Sequence, residues 1–193
     1  MTSYLVLLRG INVGGKNTVP MAALRTLLEE LGFSNVATYI ASGNVFLDAD
    51  LGPAEVASKI ETALPKAFKL DAELIRVAVL SAAQLEAVVR DRPRGFGAHP
   101  TDFHSDAIFL MGIEAAEAMA VFSPKDGVDM VWPGNGVIYH QRLSARRTES
   151  RLNRIMGTPV YASATIRSWQ TTVALLELMR KRNAPSSVRS PRV

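Results

Sequence analysis

The chain has 193 residues, of which 48% are hydrophobic, and this length suits one domain or two small ones with a sizeable core. It contains no cysteine, which excludes disulfides and thiolate metal sites, and its three histidines are too scattered to give a metal-ligand spacing. No apolar segment approaches the roughly 18 residues of a membrane span, and no export signal precedes the short apolar run near the N-terminus. The sequence therefore predicts a cytoplasmic protein with no metal and no membrane partner.

The charge is unevenly distributed along the chain, although the net value is only +4. Residues 1–141 carry 11 Lys and Arg against 16 Asp and Glu, whereas residues 142–193 carry 11 against two. Such an asymmetry attracts an anionic small molecule or nucleic acid as a partner. A solvated basic face followed by a basic tail would give the same distribution without a partner.

The first 90 residues predict alternating strands and helices. Short apolar or alternating runs indicate strands, and apolar residues at helical spacing after a proline indicate helices. The predicted strands are residues 3–9, 35–40, 45–47 and 73–80, and the predicted helices are residues 20–31, a helix from Pro53 with Pro65 as its break or end, and residues 82–90. The order βαββαβ is that of a ferredoxin-like unit, an antiparallel four-stranded sheet with two helices on one face.

The same order recurs after a loop rich in Pro and Gly at residues 91–104. The predicted strands are residues 106–111, 127–132, 136–142 and 158–162, and the predicted helices are residues 114–122, 149–156 and 167–182. We therefore predict an α+β protein with two ferredoxin-like halves of βαββα type, residues 1–90 and 105–182, from an internal duplication. The sheets are antiparallel with helices on one face, and residues 183–193 form a disordered basic tail.

The segment RGINVGGKN at residues 9–17 is close to a phosphate-binding P-loop but departs from it. In a P-loop, backbone N–H groups wrap the phosphates, a hydroxyl after the lysine ligates Mg²⁺, and a helix begins at once. Asn17 stands where that hydroxyl is required, and the helix predicted from residue 20 begins too late. Both departures argue against a P-loop NTPase.

Two interpretations of this segment remain open. A tight turn between a strand and a helix uses the same Asn and Gly residues. Alternatively, glycines let the backbone approach a ligand and Lys16 adds a charge, which makes an anion-binding site. In the predicted sheet the first strand is antiparallel to the third, so the turn ASGN at residues 41–44 should lie beside this segment. The candidate ligand-binding residues are Arg9, Asn12, Gly14, Gly15, Lys16, Asn17, Ser42, Gly43 and Asn44.

The second half supplies further basic candidates. The segment SARRTESRLNR at residues 144–154 places arginines at helical spacing, where they can form a cationic face, although a solvated face balanced by Glu149 is equally compatible. Arg167 precedes the last helix. The basic candidates are Arg147, Arg151 and Arg167.

These motifs carry a resemblance to a bacterial family catalogued as domain of unknown function 1697. RGINVGGKN, PMAALRTLLEELGF and VATYIASGNVF resemble its first signature, and SRLNRIMGTPVYASATIRSWQTT resembles its second. In the second signature the family tends to have Asn where this chain has Ser168. The resemblance implies a compact α+β protein of ferredoxin-like halves, and it implies no activity and no cofactor.

The sequence thus predicts a protein that binds a phosphate-bearing ligand (a nucleotide, a phosphorylated small molecule or a nucleic-acid backbone) at the RGINVGGKN loop. One alternative is an enzyme acting on a phosphorylated or nucleotide substrate, and another is a pair of structural loops in a protein that acts through a partner surface. Neither a nucleophile elbow with its Ser–His–Asp triad nor a distinctive carboxylate pair is present, so no catalytic residue is assigned.

Overall fold

The computed structural model describes residues 1–184, within which the chain forms eight strands and six α-helices. The strands are β1 (Thr2–Leu8), β2 (Ser34–Tyr39), β3 (Asn44–Ala49), β4 (Val77–Ser81), β5 (Phe103–Leu110), β6 (Asp129–Pro133), β7 (Val137–Leu143) and β8 (Ala164–Ser168). The α-helices are α1 (Met21–Glu30), α2 (Pro53–Ala67), α3 (Ala82–Arg90), α4 (Ala115–Met119), α5 (Pro159–Ala162) and α6 (Trp169–Asn183). Short 3-10 helices occupy Ser144–Glu149 and Leu152–Ile155. The predicted tail falls outside the described residues from residue 185 onward.

Each half of the chain builds one four-stranded antiparallel sheet, and the two sheets have the same strand order. The first is ordered β2-β3-β1-β4 and the second β6-β7-β5-β8. The predicted antiparallel pairing of β1 with β3 is confirmed, since Leu7 lies opposite Asn44. The carboxyl end of β1 therefore meets the start of β3, which places the RGINVGGKN and ASGN segments at the same end of the first sheet.

Helices cover both faces of each sheet, whereas the sequence predicted helices on one face. Helices α1 and α2 pack on the outer face of the first sheet, α3 and α6 lie between the two sheets, and α4 and α5 cover the outer face of the second. The physical reason is visible in β1, where Val6 and Leu8 face the outer core while Leu5 and Leu7 face the central one. Because β1 is apolar at every position from Leu5 to Leu8, it buries both faces there and needs a layer on each side.

Two segments differ from their predicted structure. The predicted strand at residues 158–162 is helix α5, because the Thr158 side chain accepts a hydrogen bond from the Tyr161 N–H at 3.2 Å and Pro159 suits the first turn. Strand β8 follows it. Pro65 lies inside α2, which continues to Ala67, so this proline affects only the last turn of the helix.

An aromatic cluster joins the two halves at the centre of the molecule. Phe96 makes edge-to-face contacts with the rings of Trp132, Tyr139 and Trp169, at centroid distances of 6.1, 5.2 and 5.0 Å. The Tyr139 hydroxyl donates to the Val88 carbonyl in α3 at 2.7 Å, and burial raises the pKa of Tyr139 to about 12. Because Phe96 belongs to the predicted linker, that loop is anchored in the core through this side chain.

The neighbouring glycines of this loop give a direct test of the central packing. Both have positive φ, +80° at Gly95 and +73° at Gly97, but a Cβ on Gly95 would meet open space whereas one on Gly97 would lie 2.1 Å from Cδ1 of Trp169. We expect Gly95→Ala to lower the free energy of unfolding by about 1–2 kcal/mol for its left-handed backbone. Gly97→Ala should cost about 1–3 kcal/mol more, because the rigid indole must move. Urea denaturation of both variants measures the difference, and equal losses would contradict this packing.

Candidate functional site

The RGINVGGKN segment forms a tight β-hairpin. The Lys16 N–H donates to the Val13 carbonyl and the Asn12 N–H to the Asn17 carbonyl, both at 3.1 Å. The two residues at the tip, Gly14 and Gly15, have φ of +60° and +74°. Positive φ at both central residues is the requirement of a type I′ turn, which glycine meets without strain. Helix α1 begins only at residue 21, so it does not follow the lysine directly and the P-loop geometry is absent.

The two asparagines of the hairpin hold its shape. The Asn12 amide donates to the carbonyls of Val19 and Ala41, both at 2.9 Å, and accepts from the Val19 N–H at 2.8 Å. The Asn17 amide donates to the Gly10 carbonyl at 3.0 Å. Both residues have positive φ, which asparagine tolerates better than most residues. These side chains position the hairpin and its neighbouring turn, and their polar groups are already used.

A carboxylate of the chain itself binds the base of the hairpin. Asp71 accepts a hydrogen bond from the Asn17 N–H at 2.6 Å, and its own N–H donates to the Asn17 side-chain oxygen at 2.9 Å. The Asn17 N–H is therefore occupied by an intramolecular anion. A second anion is disfavoured at that position by repulsion from Asp71.

Arg167 joins the ASGN turn to the second sheet. Its side chain reaches from β8 into the first half and is buried, at 7% exposure. All five of its N–H groups find acceptors. The acceptors are the side-chain oxygens of Asn44 at 2.6 Å and Thr165 at 2.9 Å, and the carbonyls of Leu8 at 3.0 Å, Ser42 at 2.9 Å, Gly43 at 3.3 Å and Ile166 at 2.8 Å.

No carboxylate of the described residues lies within ion-pair distance of Arg167. Burial lowers the pKa of Arg167 to about 10, which still leaves it charged at neutral pH. Position 43, whose carbonyl Arg167 binds, requires glycine because φ is +76° and a Cβ would lie 2.9 Å from the Cβ of Leu8. Arg167, Gly43 and Asn44 are thus structural positions.

Two further arginines cross between the halves. The Arg9 Nε donates to the Tyr161 carbonyl at 3.0 Å, and its guanidinium lies 4.9 Å from the centroid of the Tyr161 ring. Arg76 donates to the Ser163 hydroxyl at 2.8 Å and to the Met111 carbonyl at 3.1 Å. Within residues 1–184, the four terminal N–H groups of Arg9 have no hydrogen-bond partner. Arg9 is therefore held in place and still able to donate.

A cleft of about 520 Å³ opens in the second half beside Tyr161. We call it the Tyr161 cleft, and its lining residues are Arg142, Arg147, Thr148, Ser150, Leu152, Asn153, Ile155, Met156, Tyr161 and Ile166. Its volume is typical of small-molecule sites, and its walls combine four apolar side chains with six that carry polar or charged groups. Arg147 lines it as one of the predicted basic residues. Arg151 does not, and its backbone N–H donates to Asp129 at 2.9 Å.

A buried polar cluster lies in the second sheet, on the face that carries Arg142. His140 is 1% exposed, and its Nε2 lies 3.3 Å from an oxygen of Asp129. Asp106 pairs with Arg142 at 2.8 Å and lies 4.0 Å from the His140 Nδ1. That Nδ1 has no hydrogen-bond partner among the described residues. Burial lowers the pKa of His140, and the attraction of the two carboxylates only partly offsets this effect.

Asp129 shows the opposite balance. Burial alone would raise the pKa of its carboxyl group, but hydrogen bonds from the Ser150 side chain and from the N–H groups of Arg151 and Lys125 hold it below its usual value. The cluster therefore pairs a neutral imidazole with an ionised carboxylate.

Among residues 1–184 no group of three or more His, Asp or Glu could hold a metal ion, and no helix is long and apolar enough to span a bilayer.

The structure unites part of the predicted site and changes the role of several residues. The RGINVGGKN hairpin, the ASGN turn and Arg167 meet at one end of the first sheet, while Arg147 lies in the Tyr161 cleft. Ser168 caps α6, since its hydroxyl accepts from the Thr171 N–H at 3.2 Å. Sequence reasoning missed Arg76 and Tyr161. An arginine inside the apolar run ELIRVAVL was a usable signal, because a charged residue in a buried strand needs partners.

Comparisons with known proteins agree with this architecture. The model of a family described as "Protein of unknown function (DUF1697)" matches residues 1–139. The solved structure of the conserved bacterial protein SP0830 from Streptococcus pneumoniae is similar over 92% of this chain and 98% of that one, with 27% sequence identity and a TM-score of 0.73. The comparison with curated proteins gives no match. The structural similarity includes both halves, whereas the family match ends before the second sequence signature.

Replacement of Arg167 tests whether the two halves depend on it. Arg167→Met leaves at least three inward carbonyl and amide oxygens without a donor, and we expect it to lower the free energy of unfolding by about 3–5 kcal/mol. Arg167→Lys keeps the charge but has only three donors, so it should rescue only part of this loss. Exposed Arg154→Met is the matched control and should change stability by less than about 0.5 kcal/mol. Equal stability of the Met variant and the wild type would refute this role.

His140 predicts a pH dependence of stability. Because the pKa of His140 is lowered in the folded protein from 6.5, the unfolded chain binds a proton more readily below that pH. We expect the free energy of unfolding to be fully retained above about pH 6.5 and to fall as the pH drops below it, by at most about 1.4 kcal/mol per pH unit. Denaturation at a series of pH values should show a smaller slope in His140→Gln, whereas exposed His99→Gln should keep the wild-type slope. An unchanged slope in His140→Gln would contradict this assignment.

Proposed function

This chain belongs to the DUF1697 family, and we propose that it binds a phosphate-bearing ligand at the RGINVGGKN hairpin, with Arg9 and Lys16 as the charged contacts. The observation that carries the proposal is the state of Arg9. Its guanidinium is fixed against Tyr161 by a ring contact and an Nε hydrogen bond, while its terminal N–H groups stay available among the described residues. A fixed guanidinium loses little conformational entropy when it binds an anion, and its fork matches two phosphate oxygens.

The hairpin tip supports the proposal with backbone donors. Lys16 is exposed and has no carboxylate within ion-pair distance in residues 1–184. The N–H groups of Gly14 and Gly15 donate to none of the described residues, because the turn uses the Lys16 N–H instead. Successive free N–H groups beside a lysine suit an anion. Since Asp71 occupies the Asn17 N–H, we propose that the phosphate contacts Arg9, Lys16 and the N–H groups of the tip, and not the Asn17 N–H.

The proposed direct contacts are fewer than the sequence suggested. We assign them to Arg9, Gly14, Gly15 and Lys16, whereas the Ser42 hydroxyl accepts a hydrogen bond from the Asn44 amide at 3.0 Å. Four residues use their polar groups in hydrogen bonds within the protein, so we assign them to positioning: Asn12, Asn17, Asn44 and Arg167.

We also propose that the two halves, residues 1–90 and 105–182, are duplicated ferredoxin-like units. Their shared strand order supports this origin.

The location of the acid–base groups whose pKa values are shifted favours binding over catalysis. His140 and Asp129, whose pKa values are shifted, lie in the second sheet and not at the hairpin. An enzyme acting at the hairpin would need such a group there.

The remaining alternative is a surface for a protein partner. It is supported by the exposed side chains of Val13 and Ile40, at 64% and 52% exposure.

Titration with inorganic pyrophosphate tests the proposed anion site. Isothermal titration calorimetry at low salt should detect binding to the wild type, with affinity falling as salt rises. Lys16→Ala and Arg9→Met should each weaken binding roughly 10-fold or more, since each removes a charge-assisted hydrogen bond. Lys181→Ala is the matched control, because Lys181 lies in the last turns of α6 and is also exposed.

Two results would refute the site at the hairpin. One is the absence of pyrophosphate binding by the folded wild type, which would favour the surface for a protein partner. The other is an equal loss of affinity in Lys181→Ala, which would show a diffuse response to net charge. A single-stranded oligonucleotide titrated in parallel separates a nucleic-acid backbone from a small ligand by its steeper salt dependence.

A further inference from the structure

We propose that the Tyr161 cleft holds the heteroaromatic part of this ligand, so that the ligand is a nucleoside phosphate rather than a bare phosphate or a phosphosugar. The inference rests on the proposed function, because it extends the same site from the hairpin into the second half. The donors at the hairpin tip are backbone N–H groups and a lysine, which would recognise a phosphate but not the rest of an organic ligand.

One residue connects the phosphate site to the cleft. The Arg9 guanidinium lies over the Tyr161 ring, and its Nε donates to the Tyr161 carbonyl. Tyr161 also lines the cleft. Arg9 does not itself line the cleft, so Tyr161 is the residue that links the guanidinium assigned to the phosphate with the cleft. One residue in contact with both sites is what a single ligand with two chemically different ends requires.

The composition of the cleft suits a flat ring with polar edges. Leu152, Ile155 and Ile166 supply apolar walls, and Met156, at 59% exposure, supplies an adaptable thioether. Tyr161 adds an aromatic ring. The volume of about 520 Å³ lies within the usual range for small ligands. A simple phosphosugar would leave these apolar walls uncovered, whereas a nucleobase would bury them.

Hydrogen-bonding groups in the cleft are not used by the protein. Within residues 1–184, the side chains of Thr148 and Asn153 and the Tyr161 hydroxyl make no hydrogen bond. A side-chain amide carries both donors and an acceptor, which is the combination that reads the edge of a nucleobase. Polar groups without protein partners, set beside apolar walls, are typical of sites that fix the orientation of a ligand.

The charge around the cleft favours an anionic ligand. No carboxylate lines it. The acidic side chains next to the lining residues are already engaged, Asp106 with Arg142 at 2.8 Å, Glu149 with Arg146 at 2.8 Å, and Asp129 with the N–H groups of Arg151 and Lys125 at 2.9 and 3.0 Å. Arg147 has no ion-pair partner among the described residues and lies on the rim. A ligand with phosphates would thus meet Arg147 at the cleft, Arg9 and Lys16 at the hairpin, and no carboxylate in the cleft itself.

Calorimetric titration of the full chain with a matched set of compounds tests this inference. The set comprises ADP, GDP, CDP and UDP, with inorganic pyrophosphate, ribose 5-phosphate and adenosine. We expect at least one nucleoside diphosphate to bind roughly 10-fold or more tightly than pyrophosphate, which corresponds to the stacking of one base. Ribose 5-phosphate should show no such gain.

Variants of the cleft should remove this gain selectively. Asn153→Ala loses the amide, and Thr148→Trp fills the cleft from an exposed position. Both should bring the nucleoside diphosphate down to the affinity of pyrophosphate while the affinity for pyrophosphate stays unchanged. Lys16→Ala should weaken both compounds. Asn135→Ala, an exposed asparagine of the β6–β7 turn, is the control and should change neither.

The outcomes separate this inference from the proposed function. If pyrophosphate binds but no nucleoside diphosphate binds more tightly, the inference is overturned and the phosphate site stands. If nucleotides and adenosine bind and lose affinity in Thr148→Trp but not in Lys16→Ala or Arg9→Met, the cleft is supported and the hairpin site is overturned. If no compound of the set binds, both are overturned.

Discussion

The junction between the two halves depends on one buried guanidinium. The Arg167 side chain extends from β8 and donates hydrogen bonds to oxygens at the end of β1, in the ASGN turn and in its own strand. The dependence is mutual, because a buried cation without acceptors and inward carbonyls without a donor are both costly. Carbonyl dipoles stabilise the buried cation here, as a carboxylate does in a buried ion pair. Each hydrogen bond also fixes the segment that carries the carbonyl. The hairpin, the turn and the strand β8 can therefore keep only one relative arrangement.

This arrangement explains why most polar residues of the two loops are not free. Asn12 binds the turn that carries Ser42, Asn44 binds Arg167, and Asn17 is bound to Asp71. A loop built from Asn and Gly has many donors and few apolar contacts, so its shape is set by hydrogen bonds within the protein. What remains for a ligand are the groups that this network leaves outward, and these are the tip of the hairpin and Arg9.

The charge asymmetry of the sequence also has a structural role. Two basic residues of the last helix, Arg180 and Arg182, pair with acidic residues of the first half, Glu86 at 3.0 Å and Asp48 at 2.9 Å. An acidic first half and a basic second half thus partly neutralise each other in the folded protein. The net charge of a segment overstates the field that a partner meets, because ion pairs between distant segments are invisible in one dimension. Arg147 is among the described cations without an ion-pair partner. Its position in the Tyr161 cleft therefore matters more for the binding of an anion than the net charge of the segment does.

The sequence by itself determined the alternation of strands and helices and the family resemblance, because apolar periodicity, prolines and glycines act locally. It also placed the RGINVGGKN and ASGN segments at one sheet end, since a short turn requires an antiparallel pair and the βαββαβ order makes the first strand central. It misplaced the segment at 158–162, where the Thr-Pro signal of a helix start outweighs strand-like residues. Only the tertiary structure decided that helices cover both sheet faces, that Arg167 is a buried anchor and that Arg9 lies on Tyr161. The Arg167–Asn44 and Arg9–Tyr161 contacts each join residues more than 100 positions apart, and the energy of such a contact depends on burial and mutual geometry that no local pattern carries.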